Sequence, residues 1–129
     1  MATGFPATTG DVLSAAMFNG LTAFTVGTAN TADYTAVLTD QYQVLQIMNK
    51  ATAIAFKIPT DASVNFAIGT AITVLNIGVG VCTISAVTSG TTTVLSAGTV
   101  PASPTLAQYK TAVCIKTGAN AWYVVGAIA

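Results

Sequence analysis

An all-β domain, folded as a compact β-sandwich or barrel-like unit with a short N-terminal helical anchor, is the fold class that this sequence predicts. From Tyr34 onward, short runs rich in Val, Ile, Thr and aromatic residues recur, several alternating apolar with polar positions, the period of a half-buried strand. Gly, Pro, Asn and Asp separate these runs at the close spacing of sandwiches and barrels. Helical spacing is confined to the first 33 residues. A chain of 129 residues can bury one modest core, so 34–129 is read as a single β domain and 1–33 as an anchor with its linker.

In the anchor, Leu13, Ala16, Met17 and Leu21 follow the i, i+3, i+4 spacing of one helical face. Thr9 or Asp11 can cap the start by accepting from free backbone N–H groups, and Gly20 can end the helix in the left-handed conformation. A helix of two to three turns is marginal alone, so its apolar face must dock. Residues 27–31 have no periodicity and read as linker.

The β domain opens with Ala36-Val37-Leu38 and then Tyr42-Gln43-Val44-Leu45-Gln46-Ile47-Met48 as strands, with a turn at Asn49-Lys50-Ala51. Ile54, Phe56 and Ile58 alternate with Ala53, Ala55 and Lys57 until Pro59 and Asp61 stop the run. Ile72-Thr73-Val74-Leu75-Asn76-Ile77 is apolar on both faces and reads as a central strand. Val81-Cys82-Thr83-Ile84-Ser85-Ala86 and Thr93-Val94-Leu95 follow. Ser103-Pro104-Thr105-Leu106-Ala107-Gln108 fits one capped helical turn. Tyr109, Thr111, Val113 and Ile115 alternate with Lys110, Ala112, Cys114 and Lys116. A hairpin turn at Gly118-Ala119-Asn120 leads into Trp122-Tyr123-Val124-Val125. No internal repeat is visible.

Charge narrows the function. The chain carries four acids (Asp11, Asp33, Asp40, Asp61) and four lysines (Lys50, Lys57, Lys110, Lys116), with no Glu, Arg or His. Four scattered lysines make no basic stripe for nucleic acid. Without His, serine and cysteine hydrolases lack their usual base, and two cysteines do not make a zinc site. Phosphoryl transfer lacks its Arg or P-loop Lys, and Gly78-Val79-Gly80 is too short to be a phosphate loop. The expectation is therefore no enzyme, no cofactor, no metal and no nucleic-acid partner. A neutral chain with 53% hydrophobic residues and a mean hydropathy of +0.70 reads as one that lives among protein partners.

A membrane is not expected either. The most apolar stretch, 67–87, is about one bilayer long, but it holds Gly69, Thr70, Thr73, Asn76, Gly78, Gly80, Thr83 and Ser85 and reads as two strands around a turn. No basic cluster flanks it, and the N-terminus has no secretory signal. Cys82 and Cys114 could pair across strands; two buried thiols are the favoured reading.

Asp33, Asp40 and Asp61 stand singly beside Asn, Thr and Pro and read as turn formers rather than a catalytic or calcium cluster. The lysines are expected to lay their stems on apolar surface and keep the ammonium in solvent. Tyr34, Tyr42, Tyr109, Trp122 and Tyr123 could together form a sugar-stacking platform, with core and subunit packing the favoured reading. Tyr42, Tyr109, Trp122 and Tyr123 are weighed between packing and contact with a neighbouring subunit or a glycan.

An ordered series of segments resembles a β-rich domain of tailed-phage virion proteins, found in fibres and capsid decoration proteins. It runs from Tyr34-Thr35-Ala36-Val37-Leu38-Thr39-Asp40 through Leu45-Gln46-Ile47-Met48-Asn49, Ile58-Pro59, Phe66-Ala67-Ile68-Gly69-Thr70, Ile72-Thr73-Val74, Gly78-Val79-Gly80 and Thr83-Ile84. It ends with Tyr109, Ala112-Val113-Cys114-Ile115-Lys116 and Asn120-Ala121-Trp122-Tyr123-Val124-Val125-Gly126. Phe5-Pro6, then Gly10-Asp11-Val12-Leu13-Ser14-Ala15-Ala16 and Asn19, is similar to the opening of many phage fibre proteins. The resemblance implies a β domain, often trimeric, displayed on a virion, and carries no catalytic residue; with no shaft in the chain, the expectation is a non-enzymatic capsid decoration or head-fibre knob, a homotrimer on the virion surface after assembly in the host cytoplasm. The opening segment of such proteins serves for virion attachment; the expectation here is that segment 1–26 attaches to the major capsid protein by apolar burial, with Phe5, Leu13, Met17, Phe18 and Leu21 as contacts. The chain departs from long fibres in having no shaft, heptad run or collagen-like repeat. A short tail fibre or adhesin touching a host glycan is the alternative.

Overall fold

The computed structural model describes residues 24–96 and 104–128. The expected N-terminal helix and the attachment residues Phe5, Leu13, Met17, Phe18 and Leu21 lie outside the described residues.

Two sheets form the all-β domain that the sequence predicts. One is six-stranded, from β1 (Thr25–Val26), β3 (Val44–Met48), β5 (Ala71–Asn76), β7 (Thr93–Ser96), β9 (Lys110–Gly118) and β10 (Ala121–Gly126), in the order β1-β3-β5-β9-β10-β7. The other is four-stranded, from β2 (Tyr34–Thr35), β4 (Ile54–Ile58), β6 (Cys82–Ala86) and β8 (Thr105–Leu106), in that order. The chain changes sheet after every strand as far as β9. Parallel neighbours need a crossover, and here a strand of the opposite sheet supplies it. Thus β1, β3 and β5 pair in parallel in one sheet, and β2, β4 and β6 in the other. Leu45 faces Thr73 and Ile54 faces Cys82, the same offset of 28 residues in both sheets. The sequence shows no repeat because the two turns share only their alternation of inward and outward positions.

That alternation builds the core. Met48, Ile72, Val74, Val94, Ala112, Cys114, Trp122 and Val124 point in from the six-stranded sheet, and Ile54, Phe56, Ile58, Cys82, Ile84 and Leu106 from the four-stranded one. Together they form one buried cluster, each large side chain gaining roughly 1.5–3 kcal/mol from leaving water. Phe66, on the loop after β4, closes over Trp122 edge to face at a centroid distance of 5.4 Å.

β5 and β6, the two halves of the apolar stretch 67–87, sit in opposite sheets, so the stretch is two strands and a turn. Among the described residues, no helix is long and apolar enough to cross a membrane. The turn after β5 lies directly on the turn before β4: Gly80 N–H donates to the Lys50 carbonyl at 2.9 Å and Ile54 N–H to the Val81 carbonyl at 3.1 Å. A Cβ on Gly80 would run into the Thr52 backbone, and one on Gly78 into that of Lys50. Asn76, fully buried, ties this corner together. Its amide donates to the Gly80 and Leu106 carbonyls at 2.9 and 2.8 Å and its oxygen accepts from Gly78 N–H at 3.0 Å.

Four local expectations are corrected. Residues 36–38 are not a strand: pairing stops at Thr35, and a 3₁₀ turn at Leu38–Gln41 follows because the Asp40 carboxylate accepts from Val37 N–H at 2.9 Å. The next strand starts at Val44 rather than Tyr42, since Gln43 has a left-handed φ of 58° that ends any extended run. Among the described residues of 103–108, which start at Pro104, there is no helical turn; Thr105–Leu106 is a short strand pairing with β6. Finally, the linker reading of 27–31 misses β1 just before it and Asn30, which bridges to Met48, donates its N–H to the Ile47 carbonyl of β3 and accepts from Asn49 N–H just past that strand. The hairpin between β9 and β10 is as expected, with Asn120 at the left-handed φ of 49° that such a turn requires.

The close approach at Gly80 has a measurable consequence. Gly80→Ala is expected to lower stability by about 2–3 kcal/mol, the usual cost of forcing atoms into a packed contact. Gly90→Ala, with no atom within 4 Å of the new Cβ, should be near neutral. Urea unfolding of both variants checks this.

Candidate functional site

Among the described residues, the acids and lysines divide into two structural clusters and a few surface charges. Lys116 points inward from β9 and is buried at 2% exposure, contrary to the expectation that its ammonium stays in solvent. Its Nζ donates to the Phe66 carbonyl at 2.7 Å and lies 2.8 Å from Asp61 Oδ1. Asp61 Oδ2 accepts from Asn120 N–H at 3.0 Å, and Asp61 N–H donates to Asn120 Oδ1 at 2.8 Å. The loop after β4 is thereby clamped to the β9–β10 hairpin. The hydrogen bond from Lys116 holds the Asp61 carboxyl below the usual range, with the Asn120 amide adding to it against some desolvation.

Asp40 centres the second cluster. Its carboxylate accepts from Tyr34 Oη at 2.8 Å, Gln46 Nε2 at 2.7 Å and the Val37 backbone. Asn30 Nδ2 donates to Gln46 Oε1 at 3.0 Å. Burial and the Asp40 carboxylate push the Tyr34 hydroxyl well above its ordinary value. Every polar side chain of this cluster has a partner, so it fixes the path of residues 30–40. Asp33 accepts from Ala55 N–H at 2.9 Å and faces Lys57 at the surface. Turn formation, as read from the sequence, is thus part of what the aspartates do; clamping is the rest.

Cys82 and Cys114 are both free and buried, the favoured reading. Burial pushes the Cys82 thiol up to about 11 and the Cys114 thiol up to about 12, so both are neutral near pH 7 and poor nucleophiles. Among the described residues, no group of three or more His, Cys, Asp or Glu side chains could hold a metal ion.

The expected aromatic contacts do not converge. Trp122 takes the packing reading: at 1% exposure it is a core residue beside Phe66, and the alternative of a ligand or subunit contact does not hold for it. Tyr42, Tyr109 and Tyr123 are exposed. Tyr42 lies before β3, beside the start of β5, where it lines a shallow open concavity with Gln41, Ala67, Ile68, Gly69 and Thr70. Tyr109 donates its N–H to the carbonyl of Asn76, at the far end of β5. Six strand residues separate the two, roughly 17–20 Å, so they belong to no single stacking platform. Tyr123 stands on the outer face of the six-stranded sheet.

That outer face is the feature the sequence reading missed. One row across the sheet runs Val26, Leu45, Thr73, Val113, Val125; the row beside it runs Ala71, Ile115, Tyr123, Leu95; a third carries Ile47, Leu75 and Thr111. None of these positions is charged. The outer face of the four-stranded sheet is polar, with Thr35, Lys57 and Ser85 in one row and Ala55, Thr83 and Thr105 in the next. The signal was present in β9, where Ala112-Val113-Cys114-Ile115 is apolar at every position and so has to present one apolar row to each side.

Compared with family models, curated proteins and solved structures, the chain finds no match in any of the three.

Two outcomes follow. Asp61→Asn leaves the Lys116 ammonium buried without its counter-charge and should cost about 3 kcal/mol at neutral pH. Because Asp61 titrates lower in the folded chain than when unfolded, its contribution is complete above the ordinary aspartate value of about 3.9. It is lost as pH falls through the lowered folded value. Urea unfolding at neutral and acid pH should therefore show the gap between wild type and variant closing toward acid. For the thiols, a raised pKa of two units or more reduces the thiolate about 100-fold, so native protein should react with a disulfide reagent at least that much more slowly than urea-unfolded protein.

Proposed function

We propose that this protein is a non-enzymatic structural subunit of a tailed-phage particle. In this reading it is a capsid decoration or head-fibre knob on the virion surface, homotrimeric, attached to the major capsid protein through its N-terminal segment and assembled in the host cytoplasm. The observation that carries the reading is the uncharged apolar outer face of the six-stranded sheet. A face of that kind belongs against protein, and it fits a chain with 6% charged residues. The ordered resemblance to phage virion β domains supplies the setting. The polar clusters support it too: each is satisfied internally and stabilises the fold. In this assignment residues 34–129, with β1 added at the sheet edge, form the knob, and Phe5, Leu13, Met17, Phe18 and Leu21 bind the capsid by apolar burial.

A second reading, a short tail fibre or adhesin, is favoured by one observation. The concavity at Tyr42 combines an exposed ring with the Gln41 amide and the Gly69 backbone, a combination suited to a sugar.

Electron imaging of parent phage particles labelled with an antibody to the protein tests both. Label spread over the head is expected. Label confined to the tail would move the assignment to the adhesin, and unlabelled particles would overturn the virion reading.

A further inference from the structure

We propose that the outer face of the six-stranded sheet is where copies of this chain meet each other. The inference deepens the homotrimer of the proposed function by naming the face through which copies meet, and shares with that reading the observation of the apolar sheet face.

The geometry is that of an inner face turned outward. Val113 sits in the middle of the sheet, between Thr73 on β5 and Val125 on β10. Ile115 is flanked by Ala71 and Tyr123, and Leu45 by Val26 and Thr73. None of these outward side chains belongs to the core cluster, and Val26, Tyr123 and Val125 are 62%, 46% and 45% exposed. Four to five strands at about 4.8 Å spacing, each some 15–20 Å long, make a flat patch of roughly 400 Å². That is within the roughly 300–600 Å² of the largest apolar patch on a typical monomer, a patch that is often functional.

Charge selects a copy of the chain as the occupant. A partner bringing Lys, Asp or Arg to the centre of this patch would bury those charges opposite Val and Ile with nothing to pair them. A second copy brings the same uncharged, β-branched rows. Repulsion between copies is small, since the chain is neutral overall. Two such patches stacked at the ordinary sheet-to-sheet distance of about 10 Å bury roughly 800 Å², the size of a small, reversible interface just under the roughly 1,000 Å² of a stable one. The opposite sheet cannot serve the same way, because Lys57 stands in its outer row and pairs with Asp33.

Sedimentation velocity of the purified full-length chain over a wide concentration range tests this. The expected species is a multiple of the 13.0 kDa chain. Val113→Lys, at the centre of the patch, should weaken association by about 100-fold or more. Tyr123→Lys, at a position already half in water and so tolerant of a charge, should do likewise with an unchanged far-ultraviolet circular dichroism spectrum. Thr83→Lys, on the polar outer face, should leave the mass unaltered. A monomeric full-length chain would overturn the proposal, whether residues 1–23 or another protein takes the face. An oligomer that tolerates Tyr123→Lys as well as Thr83→Lys would overturn it also, placing the contact elsewhere. Since the protein is studied without phage, the result is independent of whether particles carry it.

Discussion

A single buried ammonium constrains much of this domain. Lys116 lies on the inward side of β9, where its neighbours along the strand are Cys114 and Ala112, and a charge there is tolerable only with partners on hand. Asp61 and the Phe66 carbonyl are those partners. Meeting them fixes the loop after β4 against the β9–β10 hairpin, and the same loop delivers Phe66 onto Trp122. The ion pair, the loop path and the closure of that end of the core are therefore one arrangement. Asn120 joins it through reciprocal bonds with Asp61, so the residue that makes the hairpin turn also receives the loop.

The winding of the chain explains why the two outer faces differ. Each early strand is followed by one in the opposite sheet, so sequence neighbours are rarely sheet neighbours. The six-stranded sheet gathers β3, β5, β9 and β10, the strands with apolar residues on both sides, while β4 and β6 put Ala55, Lys57, Thr83 and Ser85 outward in the other. One side of the domain is thereby suited to water and the other to protein. Edge strands matter in the same way: among the described residues β1 has two residues and β7 four, short edge strands beside the apolar face.

Buried polar groups in this protein do fold-building work. Asp40 orders the turn before β3, Asn76 ties three backbone segments at one corner, and the two thiols fill core positions as small apolar groups. The indole N–H of Trp122 is buried without a hydrogen-bond acceptor, under the edge of Phe66. Among the described residues, the apolar sheet face and the Tyr42 concavity are the surface features left outside these internal networks.

Local alternation in the sequence determined the fold class and most of the strands. Ile54, Phe56 and Ile58, or Cys82 and Ile84, can bury one side only by lying extended, and the Asn120 turn is dictated by backbone sterics. It also determined the shortage of charge and with it the absence of a sequence motif for nucleic-acid binding or acid–base chemistry. Tertiary structure decided what depends on partners far along the chain. Whether Lys116 snorkels or is buried rests on Asp61 and on Phe66, whose carbonyl is 50 residues distant. Whether 103–108 turns helically or pairs rests on the open edge of β6. The apolar outer face likewise exists only once strands separated by tens of residues stand side by side, because a row across a sheet is made from residues that no window of sequence contains together.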